Sequence, residues 1–221
     1  MRAALSVFLK DLRLEGRSKD VLSTTLFFAG LVVLIMGFAF GPDTAKMRDA
    51  AAGVLWCALA FASVLAANRA WAGEQESGAL ESLLLYPVAH EWLYLGKAAA
   101  NALLMLILGV VTAALTAIFF DVHFASLGLL ALTLALGVLG LSLVTTFYSA
   151  ITVNLRAKEA LLPVLSFPII IPVMIGAVKS TVLLSGGFNP DDYWAWTRLL
   201  LGFDVVTLLV ATFAFPHAVE S

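Results

Sequence analysis

The side chains that bind metals or carry out covalent chemistry stand apart in this sequence. His90, His123 and His217 are widely separated and Cys57 is the single cysteine. Neither metal-ligand spacing nor an internal disulfide arises from that arrangement. Gly96-Lys97 has Glu91 where a phosphate loop needs its first glycine, and Ala98 where it needs Ser or Thr. Neither the H-E-x-x-H zinc pattern nor the G-x-S-x-G nucleophile elbow occurs. The expectation is a chain without catalytic chemistry of its own, binding no metal and no cofactor.

The run with the most organised chemistry is Asn68 to Pro87. Glu74 and Glu76 lead into Ser77-Gly78, after which Leu80, Leu83 and Leu84 recur at helical spacing with Glu81 off their face. Ser77 can cap a helix start and Pro87 stops one. A short amphipathic helix of that kind suits docking into a groove on another protein. It could instead lie flat on lipid, but anionic headgroups attract Lys and Arg, and this polar side is acidic.

The elements that must position this run are set by composition. Of 221 residues, 62% are hydrophobic and only 13% charged, with a mean hydropathy of +0.99. Soluble domains are roughly half apolar and a quarter charged, so an ordinary soluble protein is excluded. A net charge of −2 gives no general pull toward nucleic acid. Charge-free stretches long enough to cross about 30 Å of hydrocarbon predict membrane helices at 21–41, 50–67, 98–120, 127–149, 160–183 and 199–216. The apolar runs are continuous rather than alternating, which favours helices over barrel strands. The expected fold is all-α: a single domain over 1–221, a polytopic bundle of six transmembrane helices (21–216) with a loop at 68–97.

With the N-terminus inside, the inner segments hold nine Lys and Arg against four outside, which satisfies the positive-inside rule. Both termini are then cytoplasmic. The first span exceeds a signal peptide's apolar core of about 7–15 residues and should be retained. Ahead of it, in 1–20, Leu5, Phe8, Leu9 and Leu12 line one face, with Lys10, Arg13 and Arg17 on or near the other. That is the pattern of a helix lying in the membrane interface, as an anchor or also as a contact for a partner.

Three features interrupt the spans. Asp204 falls about one and a half turns into the last one, where it can reach the outer interface, pair with Arg198 or meet a neighbouring helix. Pro163, Pro168 and Pro172 break the backbone hydrogen bonding of the fifth span, as a static kink or as a hinge. Small residues (Gly30 and Gly37 in the first span, Gly137, Gly140 and Ser142 in the fourth) permit close helix contacts. Without further membrane-buried charge, an ion-driven carrier is disfavoured.

Taken together, Gly53-Val54-Leu55-Trp56 through Ser63, Glu76-Ser77-Gly78-Ala79-Leu80-Glu81-Ser82-Leu83-Leu84 through Pro87, Gly96-Lys97, and Arg156 through Leu161-Leu162-Pro163, Pro168 and Ile171-Pro172 resemble the CcmB family over nearly the whole chain. The Gly-x-Leu-Glu-x-Leu-Leu-x-x-Pro element alone also occurs in many ABC exporter permeases. The resemblance implies an ABC-2-type exporter permease in the bacterial inner membrane, serving cytochrome c maturation. ATP and Mg would act on a separate cytosolic ATPase, CcmA; CcmC and CcmD would be membrane partners, and the haem chaperone CcmE an indirect one. Residues 76–87 would then be the coupling helix with Glu74 leading into it, the contact being carried by Glu74, Glu76, Gly78, Leu80, Glu81, Leu83, Leu84 and Pro87. Either haem moves across the membrane, or the motion releases the haem-loaded chaperone; a general exporter of lipid, polysaccharide or drug is the alternative. Only His123 falls on the outer side, where ligation of haem iron or proton transfer stands beside a solvated loop residue.

Overall fold

A computed structural model of the chain describes residues 2–41, 43–76, 78, 90–153, 155 and 158–220, with backbone only at 70, 72, 73, 76, 158, 159, 219 and 220. Its regular structure is helical throughout: α1 (Arg2–Ser18), α2 (Asp20–Phe40), α3 (Thr44–Glu76), α4 (His90–Phe119), α5 (Leu127–Thr152), α6 (Lys158–Ser185) and α7 (Pro190–Glu220). Among the described residues, six helices, α2 to α7, are long and apolar enough to span a bilayer. They run alternately up and down, so the end of α3, the start of α4 and α1 share one end of the bundle. This is a polytopic, all-α bundle.

Three spans are longer than the charge gaps imply. Helix α3 has 33 residues, about 50 Å at 1.5 Å per residue, and carries Asn68–Glu76 as helix where a loop was expected. Helix α4 starts at His90 rather than 98, and α7 at Pro190 rather than 199. The cause is that the bounding charges are absorbed locally. Lys97 is buried against carboxylates, and Arg198 Nε donates to the Trp194 carbonyl 3.1 Å away, one turn back along its own helix. A charge therefore marks the end of a span only when it has no partner within reach.

Helix α1 meets the bundle through Ala4, Val7, Asp11 and Glu15, while Leu5 and Leu9 stay exposed, on the side that lipid would cover. Gly96 on α4 makes that crossing close. A Cβ there would lie 2.7 Å from the Ala4 carbonyl oxygen and 2.9 Å from Val7 Cβ. The turn into α2 places Lys19 at φ 56. Glu15, rather than the residue at the cap itself, accepts from the α2 backbone: Leu22 N at 2.7 Å and Val21 N at 3.4 Å. An acidic group at a helix N-terminus satisfies free donors and complements the helix dipole.

The core joins α3, α4, α5 and α6 through Leu55, Trp56, Leu59, Leu108, Leu141 and Val173. Trp56 Nε1 donates to Thr181 Oγ1 at 2.9 Å, and its ring fills the gap over Gly137, where a Cβ would lie only 2.3 Å away. Further polar ties between helices come from Tyr94 OH to the Leu143 carbonyl (3.0 Å), Asn101 to Thr146 (3.0 Å) and Ser149 to the Ala67 carbonyl (2.6 Å). Buried donors in a hydrocarbon environment need such acceptors, since water cannot reach them. At the far end Arg48 pairs with Asp121 and donates to its carbonyl at 3.0 Å. The guanidinium holds the Asp121 carboxyl below its ordinary range, through its hydrogen bond and its charge.

Candidate functional site

Four charged side chains from three helices converge where α1 meets the end of α3 and the first turns of α4. Asp11 and Lys10 come from α1, Glu74 from the last turn of α3, and Lys97 from the second turn of α4. Lys97 Nζ lies 2.7 Å from Glu74 Oε2 and 3.3 Å from Asp11 Oδ2. It is 1% exposed and also sits 4.6 Å over the Trp71 ring, where the face of an indole attracts a cation. Lys10 pairs with Glu74 and, at 3.2 Å, with Asp11. Two cations thus face two carboxylates, and the cluster is neutral.

Burial opposes the charge of Lys10, but the hydrogen bond to Glu74 and the nearby carboxylates outweigh it and raise its pKa. Behind the ion pairs, Trp71 stacks on Phe215 of α7 at 6.0 Å, and Phe215 stacks on Tyr94 of α4 at 5.3 Å. The polar cluster therefore rests on an aromatic wall rather than on open solvent. It borders a cavity of about 530 Å³, lined in part by Leu14, Glu15, Arg69 and Asn101. In chemical terms the arrangement is a clasp: it binds α1, α3 and α4 to one another.

Glu74 is thus the part of the sequence-predicted site that faces inward, engaged with Lys10 and Lys97. Residue 76 ends α3. Gly78 forms a turn at φ 68 and donates to the Gln75 carbonyl at 3.2 Å, a conformation that suits glycine at a helix C-terminus. Leu80, Glu81, Leu83, Leu84 and Pro87 lie outside the described residues. Lys10, Asp11 and Lys97 did not stand out in the sequence as a group. The local signal was Gly96 beside Lys97, a small residue permitting close approach next to a charge in an apolar run.

The three prolines sit within one unbroken helix, α6. Pro168 and Pro172 are on its exposed side and Pro163 is half-buried. His123 is exposed. Asp204 does not pair with Arg198, and it lies deeper than expected because α7 begins nine residues earlier.

The family model described as CcmB protein matches residues 2–221. The chain belongs to the CcmB family. It is similar to heme exporter protein B of Rhodobacter capsulatus, 33% identical over 220 residues that cover all of this chain and 98% of the relative. The heme exporter protein B of Bradyrhizobium diazoefficiens is 29% identical over 216 residues, 97% of this chain and 96% of that one. Escherichia coli K12 heme exporter protein B matches over 95 residues at 27% identity, 43% of each chain.

Proposed function

We propose that this CcmB family member is the membrane permease subunit of an ABC complex for cytochrome c maturation. It couples ATP hydrolysis on a separate ATPase, CcmA, to haem export or to release of the haem-loaded chaperone CcmE, in contact with CcmC and CcmD. The observation that carries the coupling reading is the clasp. Glu74 and Lys97 join the two helices that flank the segment Glu76–Pro87 in the sequence, α3 and α4, to each other and to α1. A push on that segment would then be delivered to three helices at once, because ion pairs and stacked rings connect rigid elements better than a free loop does.

In this reading the clasp end faces the cytoplasm of a bacterial inner-membrane protein, with both termini on that side. The match to relatives named heme exporter protein B favours a haem-handling role over a general lipid or drug exporter. ATP and Mg belong to the partner chain, and haem is cargo of the complex. The test is reconstitution with CcmA, CcmC, CcmD and haem-loaded CcmE in vesicles, measuring haem accumulation and chaperone release together. ATP-dependent release or accumulation that requires this chain is the expected result. Neither process depending on it would overturn the assignment.

A further inference from the structure

Asp204 lies near the middle of the 31-residue α7 and is 3% exposed. Both of its carboxyl oxygens are buried and without a hydrogen-bond partner. One of them is lodged against the bare face of Gly140 on α5, where a Cβ would come within 2.6 Å of it and within 2.9 Å of Val173 on α6. Gly140 and Val173 are themselves near the middle of their helices. The carboxyl is therefore held at the centre of the bundle, at the junction of three spans.

No described charged group comes to meet it. Helix α5 has no acidic, basic or histidine residue, Tyr148 being its one titratable group. On α6, Lys179 is exposed six residues beyond Val173, and Lys158 and Glu159 begin the helix far from it. On α7, Arg198 donates back to Trp194, and Asp191, Asp192, Tyr193 and His217 stand toward the helix ends. Helix α4, which also packs on α7, has His90, Glu91, Tyr94 and Lys97 in its first turns, with Lys97 engaged by Glu74 and Asp11. A bare carboxylate in such surroundings lacks both solvation and a counter-ion, and a group in that position takes up a proton.

We propose that Asp204 is a reversible proton-binding site at the α5–α6–α7 junction, loaded while these helices are packed and unloaded when they part. Loading forms one O–H bond with a proton taken from water. Unloading breaks it, returns the proton to water and leaves the carboxylate hydrated. Val173, which closes the site, directly follows Pro172, so any movement of α6 at that proline changes the cover over Asp204. The site is independent of how the chain meets an ATPase.

The test is infrared spectroscopy of the full chain, carrying ¹³C-carboxyl aspartate, in phosphatidylcholine vesicles. At pH 7, where a free aspartate is ionised, a protonated-carboxyl band is expected. Asp204→Asn should remove it. Gly140→Val, which wedges α5 from Asp204 and admits water, should make the band vanish at lower pH. No such band in the wild type at pH 7, or an undiminished one in Asp204→Asn, overturns the proposal. A folded Gly140→Val with unchanged titration overturns the link between packing and the proton. Where either variant fails to fold, the wild-type titration decides.

Discussion

Lys97 Nζ stands 2.7 Å from Glu74 Oε2, although 22 positions and a helix reversal separate the two residues. Removing one partner of a buried pair strands the other and costs about 3–5 kcal/mol. Lys97→Met should therefore destabilise the chain toward the lower end of that range, because Glu74 and Asp11 lose their buried cation and keep only the half-exposed Lys10. Glu74→Gln together with Lys97→Met should recover part of the loss. Thermal unfolding of the four species in detergent gives the coupling directly. Additive effects would mean that the pair is not an energetic unit.

Lys10 gives the clasp a pH limit. Its pKa is raised in the folded chain, so its contribution is complete below the unfolded value of about 10.4 and disappears as pH rises through the higher folded value. Its side chain is 39% exposed, and solvent screening holds that contribution to about 1 kcal/mol or less. Spin labels placed on exposed positions of α1 and α3 should keep a fixed distance distribution up to pH 10 and broaden only above it. Broadening near neutrality would show that α1 is not held by Lys10.

The Trp56 ring lies over the bare backbone of Gly137. Gly137→Ala would place a methyl 2.3 Å from the indole. The ring must then move, and its bond to Thr181 is lost. Overpacking of this kind costs about 1–3 kcal/mol. Trp56→Phe supplies the missing space, so the double variant should melt above Gly137→Ala alone. The reverse order would show that the glycine serves something other than the tryptophan.

The six spans could be read in advance because hydrocarbon tolerates few unpartnered charges, and the gaps between charges are visible in one dimension. Their true lengths could not. Lys97 and Arg198 look like boundaries until one knows that Glu74, Asp11 and the Trp194 carbonyl receive them. The depth of Asp204 was misjudged for the same reason, since Arg198 was taken as the start of a helix that begins at Pro190. The apolar stripe of α1 was legible, yet the side that meets the bundle carries Asp11 and Glu15, whose partners lie on other helices. Sequence periodicity distinguishes faces; it does not say which neighbour each face meets.

The segment 77–87 has a test that does not depend on its structure. Leu83→Asp with Leu84→Asp places two carboxylates on the apolar stripe, and burial of unpaired charge at an interface is strongly unfavourable. CcmA should no longer co-purify with the variant, while insertion of the six spans is unaffected. Unchanged co-purification and ATPase activity would remove this segment as the coupling helix.

Pro163, Pro168 and Pro172 are the candidate hinge. They leave the carbonyls of Glu159, Val164 and Pro168 without the usual donor four residues on, within a helix that nevertheless continues to Ser185. The connection from α5 to α6 is short, so a displacement at that end reaches Pro163 within about two helical turns. Two of the prolines face away from the bundle, which leaves their side of α6 free to bend without a clash against another helix. Replacing all three by Ala should restore the backbone bonds and stiffen the helix. Such a variant should still bind CcmA but uncouple hydrolysis from chaperone release. Spin-label distances along α6, with and without nucleotide, check the cause. Distances that stay fixed in the wild type while release proceeds would mean that the prolines shape a static helix and that the motion lies elsewhere.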